Sequence, residues 1–146
     1  MAKRRRNKVN VLLHFVWATR DKLPLLTEDI ERLLYRYIEE VCVDDRCDLL
    51  AIGGIADHMH LLVNMSPTIS MSDLMMHIKG GSSRLISQTL KPDTWFAWQS
   101  HYGVFSLAMR DKHKTIDYIH NQKQHHADNT LLPELEAAFV EDDTQD

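Results

Sequence analysis

The hydrophobic period of this chain switches repeatedly between two and about 3.6 residues, and that switching is the strongest constraint on its fold. Val9 to Ala18 (VNVLLHFVWA) is rich in β-branched, aliphatic and aromatic residues, as a strand requires. After a polar connection containing Pro24, Ile30, Leu33, Leu34, Tyr37, Ile38 and Val41 recur at helical spacing. Thr27 is placed to cap that helix, with Glu28, Asp29 and Glu31 near its positive end. DLLAIGGI at 48–55 and HMHLLVNM at 58–65 read as two further strands, joined by a link short enough to suggest an antiparallel hairpin. Ser70 can cap a second helix over about 71–89, Tyr102 to Met109 (YGVFSLAM) reads as a fourth strand, and Asp111 can cap a last helix over about 112–127. This order predicts an α+β fold: a ferredoxin-like antiparallel sheet with helices on one face, plus a last helix.

A length of 146 residues suits one domain. The expected division is a domain over 1–130, with a basic arm at 1–8, and an acidic, fraying tail at 131–146. The formal charge of −4 argues at first against a nucleic-acid partner. Residues 134–146, however, carry six acids and no lysine or arginine, which leaves 17 basic against 15 acidic residues elsewhere. Phosphate binding depends on where cations sit rather than on the total, so DNA is permitted, not demanded. Cys42 and Cys47 match no zinc-ligand spacing and make no disulfide framework, and the expected setting is reducing and cytoplasmic. No apolar run approaches the roughly 20 residues that span a bilayer, so no membrane partner is expected. Gly80-Gly81 interrupts the second helix, for either a tight helix–sheet contact or close approach of a ligand backbone.

Two groups of residues stand out chemically. In Asp57-His58-Met59-His60, alternation along a strand turns both histidines to one side and Met59 to the other. Imidazoles about 7 Å apart along one face can converge on one metal ion, although a bare His-x-His pair is weak evidence. Tyr118 and Gln122 stand four apart on the last helix, with Asn121 and His125 expected on that side. A helical tyrosine is usually a packing residue, but neighbouring amide and imidazole groups make a poor hydrophobic seam. A tyrosine nucleophile beside a divalent cation suits phosphodiester breakage that conserves the bond energy for rejoining. Two other readings stay open: a nucleic-acid-binding module without catalysis, and a metal-dependent hydrolase that uses water.

The chain resembles the small single-tyrosine His-hydrophobic-His transposases of bacterial insertion sequences and their REP-associated relatives. The resemblance covers about residues 10–126. It rests on HFVWATRDKLPLLT at 14–27, DHMHLLV at 57–63, KGGSSRLI at 79–86, FAWQSHYGVFSLA at 96–108 and YIHNQKQHH at 118–126. It implies a ferredoxin-like fold, a homodimer, and cleavage of single-stranded, hairpin-bearing DNA with magnesium or manganese, leaving a 5′-phosphotyrosine. His58 and His60 are then the histidine metal ligands, Gln122 the third protein ligand and Tyr118 the nucleophile. Asp57 is expected to orient a histidine or make a turn contact, and His120, His125 and His126 to be solvated. The candidate phosphate contacts are Arg4, Arg5, Arg6 and Lys8 in the basic arm, with Lys79 and Arg84 next.

Overall fold

The computed structural model describes residues 7–89 and 95–137. Strand β1 (Leu12–Ala18) leads through a single 3-10 turn to helix α1 (Glu28–Asp44). Strands β2 (Asp48–Ile55) and β3 (His58–Asn64) form the hairpin, followed by helix α2 (Met71–Thr89) and strand β4 (Gly103–Ser106). Helices α3 (Lys112–His120), α4 (Gln122–Asp128) and α5 (Pro133–Glu136) complete the order. The sheet order is β2-β3-β1-β4 and every neighbouring pair is antiparallel. β3 therefore lies between β1 and β2, and the fold is the α+β, ferredoxin-like arrangement that the element order predicts.

Strand alternation divides the sheet. Phe15 and Trp17 of β1 lie opposite Leu61 and Met59 of β3, and all four are buried against α1 and α2. Thr27 caps α1 by accepting from the Ile30 amide, and Ile30, Leu34, Ile38 and Val41 form its buried stripe. Gly81 of α2 faces the Tyr37 ring of α1, and a Cβ there would collide with it. Gly81 thus serves a helix–helix contact, which is neither the helix–sheet contact nor the ligand approach that the sequence suggests. Gly80 meets nothing within 4 Å.

The opposite face carries His14, Val16, His58, His60 and Leu62, and there α3 crosses β2 and β3. Ile119 packs with Leu12, Ala51 and Leu62. Gly53, directly across the ladder from His60, lies under the Ile119 carbonyl, where a Cβ would collide with backbone. Its missing side chain lets α3 lie this close to the sheet beside His60.

Three boundaries differ from expectation. Residues 9–11 do not join β1, because the Asn64 side chain accepts from the Val11 amide and donates to the Val9 carbonyl in place of a ladder. β4 spans only 103–106, since its pairing with β1 ends at Leu13 opposite Ser106 and a 3-10 turn follows at 109–111. The last helix breaks at Asn121, whose backbone and side-chain N–H groups both donate to the Asp117 carbonyl. Asp111 precedes α3 without a side-chain capping bond.

Candidate active site

The hairpin tip is anchored before any chemistry is placed on it. Buried Thr19, just past β1, donates to the Asp57 carbonyl through its amide (2.9 Å), while its hydroxyl lies 2.6 Å from the Leu23 carbonyl and 3.1 Å from that of Asp57. His58 and His60 then point from β3 towards α3, as the alternation requires. Asp57 Oδ1 accepts from His58 Nδ1 at 2.7 Å, so Asp57 orients that ring as well as making the turn contact. His60 is fully buried, and its Nδ1 lies 2.8 Å from Nε2 of His14 on β1.

The chain returns to this place after α4. Asn129 adopts the left-handed conformation that commonly ends a helix, and α5 brings Glu136 to the two histidines. Glu136 Oε2 is 3.1 Å from both His58 Nε2 and His60 Nε2, and Oε1 accepts from the Tyr118 hydroxyl at 2.5 Å. That hydroxyl also accepts from the Leu132 amide at 3.0 Å. The Tyr118 ring stands edge-on to His60 with centroids 6.1 Å apart, and His125 stacks on it at 4.7 Å.

Charge follows this geometry. Burial opposes ionisation of Glu136, but the bonds to His58 and His60 outweigh it and hold the carboxyl well below its usual range. Burial also opposes protonation of His58, yet its bonds to Glu136 and Asp57 leave its pKa raised. His60 is lowered, because burial there outweighs the same carboxylate. Tyr118 is pushed up to about 12, first by burial and then by Glu136. Its phenol is therefore held protonated in this arrangement.

The other expected residues scatter. Gln122 is buried; its amide donates to the Tyr118 carbonyl, and its Oε1 lies 3.2 Å from His126 Nε2. His126 Nε2 in turn lies 3.2 Å from His58 Nε2, so Gln122 reaches the cluster through His126. His125 and His126 are thus site neighbours rather than solvated residues, whereas His120 and Asn121 are exposed and the Asn121 amide is spent on the Asp117 carbonyl. Lys79 donates to the carbonyls of Gln99 and His101, and Arg84 is exposed; both lie on α2, across the sheet. Lys8 is exposed, and Arg4, Arg5 and Arg6 lie outside the described residues.

Sequence reasoning missed His14 and Glu136. The signal for His14 is its position in a strand with alternating faces, but the register that brings it to His60 is a tertiary fact. For Glu136 the signal is the apolar pair Leu131-Leu132 before Pro133, which is unexpected in a fraying tail. Lys22 was also passed over. It lines a cavity of about 450 Å³ together with Asp57, His58, His126 and Glu136.

His58, His60 and Glu136 offer one ligand atom each, all within 4.8 Å of one another. Two imidazole nitrogens and a carboxylate converging in this way fit a divalent cation. Fold and site together define an α+β protein that gathers a metal-competent cluster and a tyrosine on one face of a ferredoxin-like sheet. The model of the family "Transposase IS200 like" matches residues 7–122, and the chain belongs to that family, whose members cleave and transfer DNA. It is 20% identical over 114 residues to the ISDra2 transposase TnpA of Deinococcus radiodurans, covering 75% of this chain and 81% of that one. A REP-associated tyrosine transposase bound to a REP hairpin shares the fold with a TM-score of 0.64 and 19% identity, over 99% of this chain and 96% of that one. A candidate transposase from D. radiodurans also shares it, with a TM-score of 0.64 and 23% identity, over 84% of this chain and 98% of the other.

Proposed function

We propose that this transposase cuts and rejoins single-stranded DNA through Tyr118, with a magnesium or manganese ion held by His58 and His60. The observation that carries the reading is the convergence of both imidazoles and the Tyr118 hydroxyl on one small region, linked by a single carboxylate. Tyr118 Oη bonds to phosphorus as the bond to the 3′-oxygen breaks, leaving a 5′-phosphotyrosine and a 3′-hydroxyl; reversal rejoins the strand. A bound divalent cation would polarise the scissile phosphate and stabilise charge on its oxygens. Lys22, exposed in the lining of the cavity, is available to meet a neighbouring phosphate. The hairpin held by the REP-associated relative motivates a hairpin-bearing substrate here.

The described arrangement is closed. Tyr118 is only 4% exposed, and its hydroxyl is tied to Glu136 and the Leu132 amide in the segment after α4. The hydroxyl must give up both bonds before it can reach a phosphodiester, so residues 131–137 have to lift. With Glu136 withdrawn, Gln122 becomes the third donor that the family resemblance implies. Residues 131–137 then act as a cover over the site on the domain at 1–130. A second reading makes Glu136 a permanent metal ligand, favoured by its contact with both histidines. Glu136→Gln separates the two: release of the cover raises the rate of adduct formation, whereas loss of a required ligand lowers it.

A homodimer belongs to this proposal on the resemblance alone. The chain itself covers both faces of its sheet, with α1 and α2 on one and α3 and α4 on the other.

The test is to incubate end-labelled single-stranded hairpin DNA with the protein and manganese, denature, and map any labelled peptide. The adduct is expected on Tyr118 and absent from Tyr118→Phe, with DNA binding retained at one fixed salt concentration. An adduct that persists in the phenylalanine variant moves the nucleophile elsewhere. Cleavage without an adduct in the wild type favours the water-using hydrolase.

A further inference from the structure

His58 and His60 have different partners on their far nitrogens, and the difference points to a function for His14. Asp57 can only accept, so it fixes the proton of His58 on Nδ1 and leaves Nε2 free to act as a donor atom whenever the ring is neutral. The partner of His60 Nδ1 is instead another imidazole, His14 Nε2, at 2.8 Å. His14 is buried, lies edge to edge with His60 with centroids 5.1 Å apart and ring planes 26° from parallel, and lies against Phe105. Among the described residues its own buried Nδ1 has no hydrogen-bond partner. A phenylalanine would fill the same space without that orphaned atom, so packing alone does not account for an imidazole here.

His60 has two kinds of occupant to satisfy. In the described arrangement Nε2 faces the Glu136 carboxylate, which only accepts, so Nε2 carries the proton and Nδ1 must accept from His14. Binding a cation needs the reverse: a lone pair on Nε2, a proton on Nδ1, and an acceptor opposite. A carboxylate or carbonyl in the place of His14 could serve only the second state. An imidazole serves both by exchanging tautomer. We propose that His14 is a positioning residue that lets His60 pass between the Glu136 carboxylate and a divalent cation, by donating to its Nδ1 in one state and accepting from it in the other. This inference rests on His58 and His60 being metal ligands.

The test uses the full chain and two metals. In nitrogen-15 spectra of the wild-type imidazoles, saturating magnesium is expected to move the His60 proton from Nε2 to Nδ1 and the His14 proton from Nε2 to Nδ1. Manganese affinity, followed by the resonance of the free ion, is expected to fall about 10–100-fold in His14→Phe, the usual effect of removing a ligand's supporting partner. His14→Gln, whose amide can turn to donate or accept, is expected to recover most of that loss. His58→Ala serves as the control for the site itself. If His58→Ala weakens manganese binding and His14→Phe does not, His14 has no positioning role and the metal site stands. If neither variant changes the affinity, both readings fail. A His14 that keeps its Nε2 proton at saturating magnesium overturns the proposal even if His14→Phe fails to fold.

Discussion

The two faces of the sheet are built from alternate residues of the same strands and have almost nothing chemical in common. Towards α1 and α2, β1 and β3 present Phe15, Trp17, Met59 and Leu61, closed over without a titratable group among them. Towards α3 they present His14, His58 and His60, capped by Tyr118, Gln122 and Glu136. One ladder therefore does two things. Its apolar side supplies the burial that holds the strands in register, and that register brings His14 to His60 on the other side. The site is precise because it is mounted on the reverse of a packed core.

The contrast can be broken from the apolar side first. Leu61→Ala is expected to lose about 2–5 kcal/mol of folding free energy, the usual range for a buried leucine. His58→Ala, at the wall of an open cavity, is expected to lose less than about 1 kcal/mol. Urea denaturation of both variants measures the difference, and equal losses would erase the division of labour.

Acid should separate the faces next. Burial, with His60 second, lowers the pKa of His14 from 6.5 to about 3. The unfolded chain takes up that proton near the ordinary value and the folded chain only near 3. The stability involved is therefore complete above about 6.5 and is lost as pH falls through this window, on the order of a few kcal/mol. His14→Phe should flatten that part of the stability–pH curve. An unchanged slope would mean that other groups carry it.

Gly53 joins the two faces, and its effect is smaller. Gly53→Ala pushes a methyl group into the Ile119 backbone, with an expected loss of about 1–3 kcal/mol from overpacking. Because α3 carries Tyr118, adduct formation should fall by more than the stability loss explains. Adduct formation that simply tracks stability would contradict the view that Gly53 sets the position of the tyrosine.

These contrasts also mark what could be read before the fold was known. The helices over 28–44 and 71–89 and the strand carrying His58 and His60 are legible because their periodicity is local, and alternation alone turns both histidines the same way. The break at Asn121, where the backbone leaves helical dihedrals (φ −101°, ψ 24°), is not legible because spacing reports only the apolar stripe. His14 and Glu136 were invisible for a different reason. Their meaning depends on contacts 46 and 76 residues away in the chain, which no local pattern encodes.

In the proposed function the histidine face performs the chemistry and Tyr118 depends on it. The most direct measurement of that dependence is the rate of the covalent protein–DNA adduct on a single-stranded hairpin, with manganese and with chelator, for wild type and His58→Ala at matched fractions folded. Adduct is expected from the wild type with manganese only, and none from His58→Ala under the same conditions. Adduct at the wild-type rate from His58→Ala, or from wild type in chelator, would contradict it.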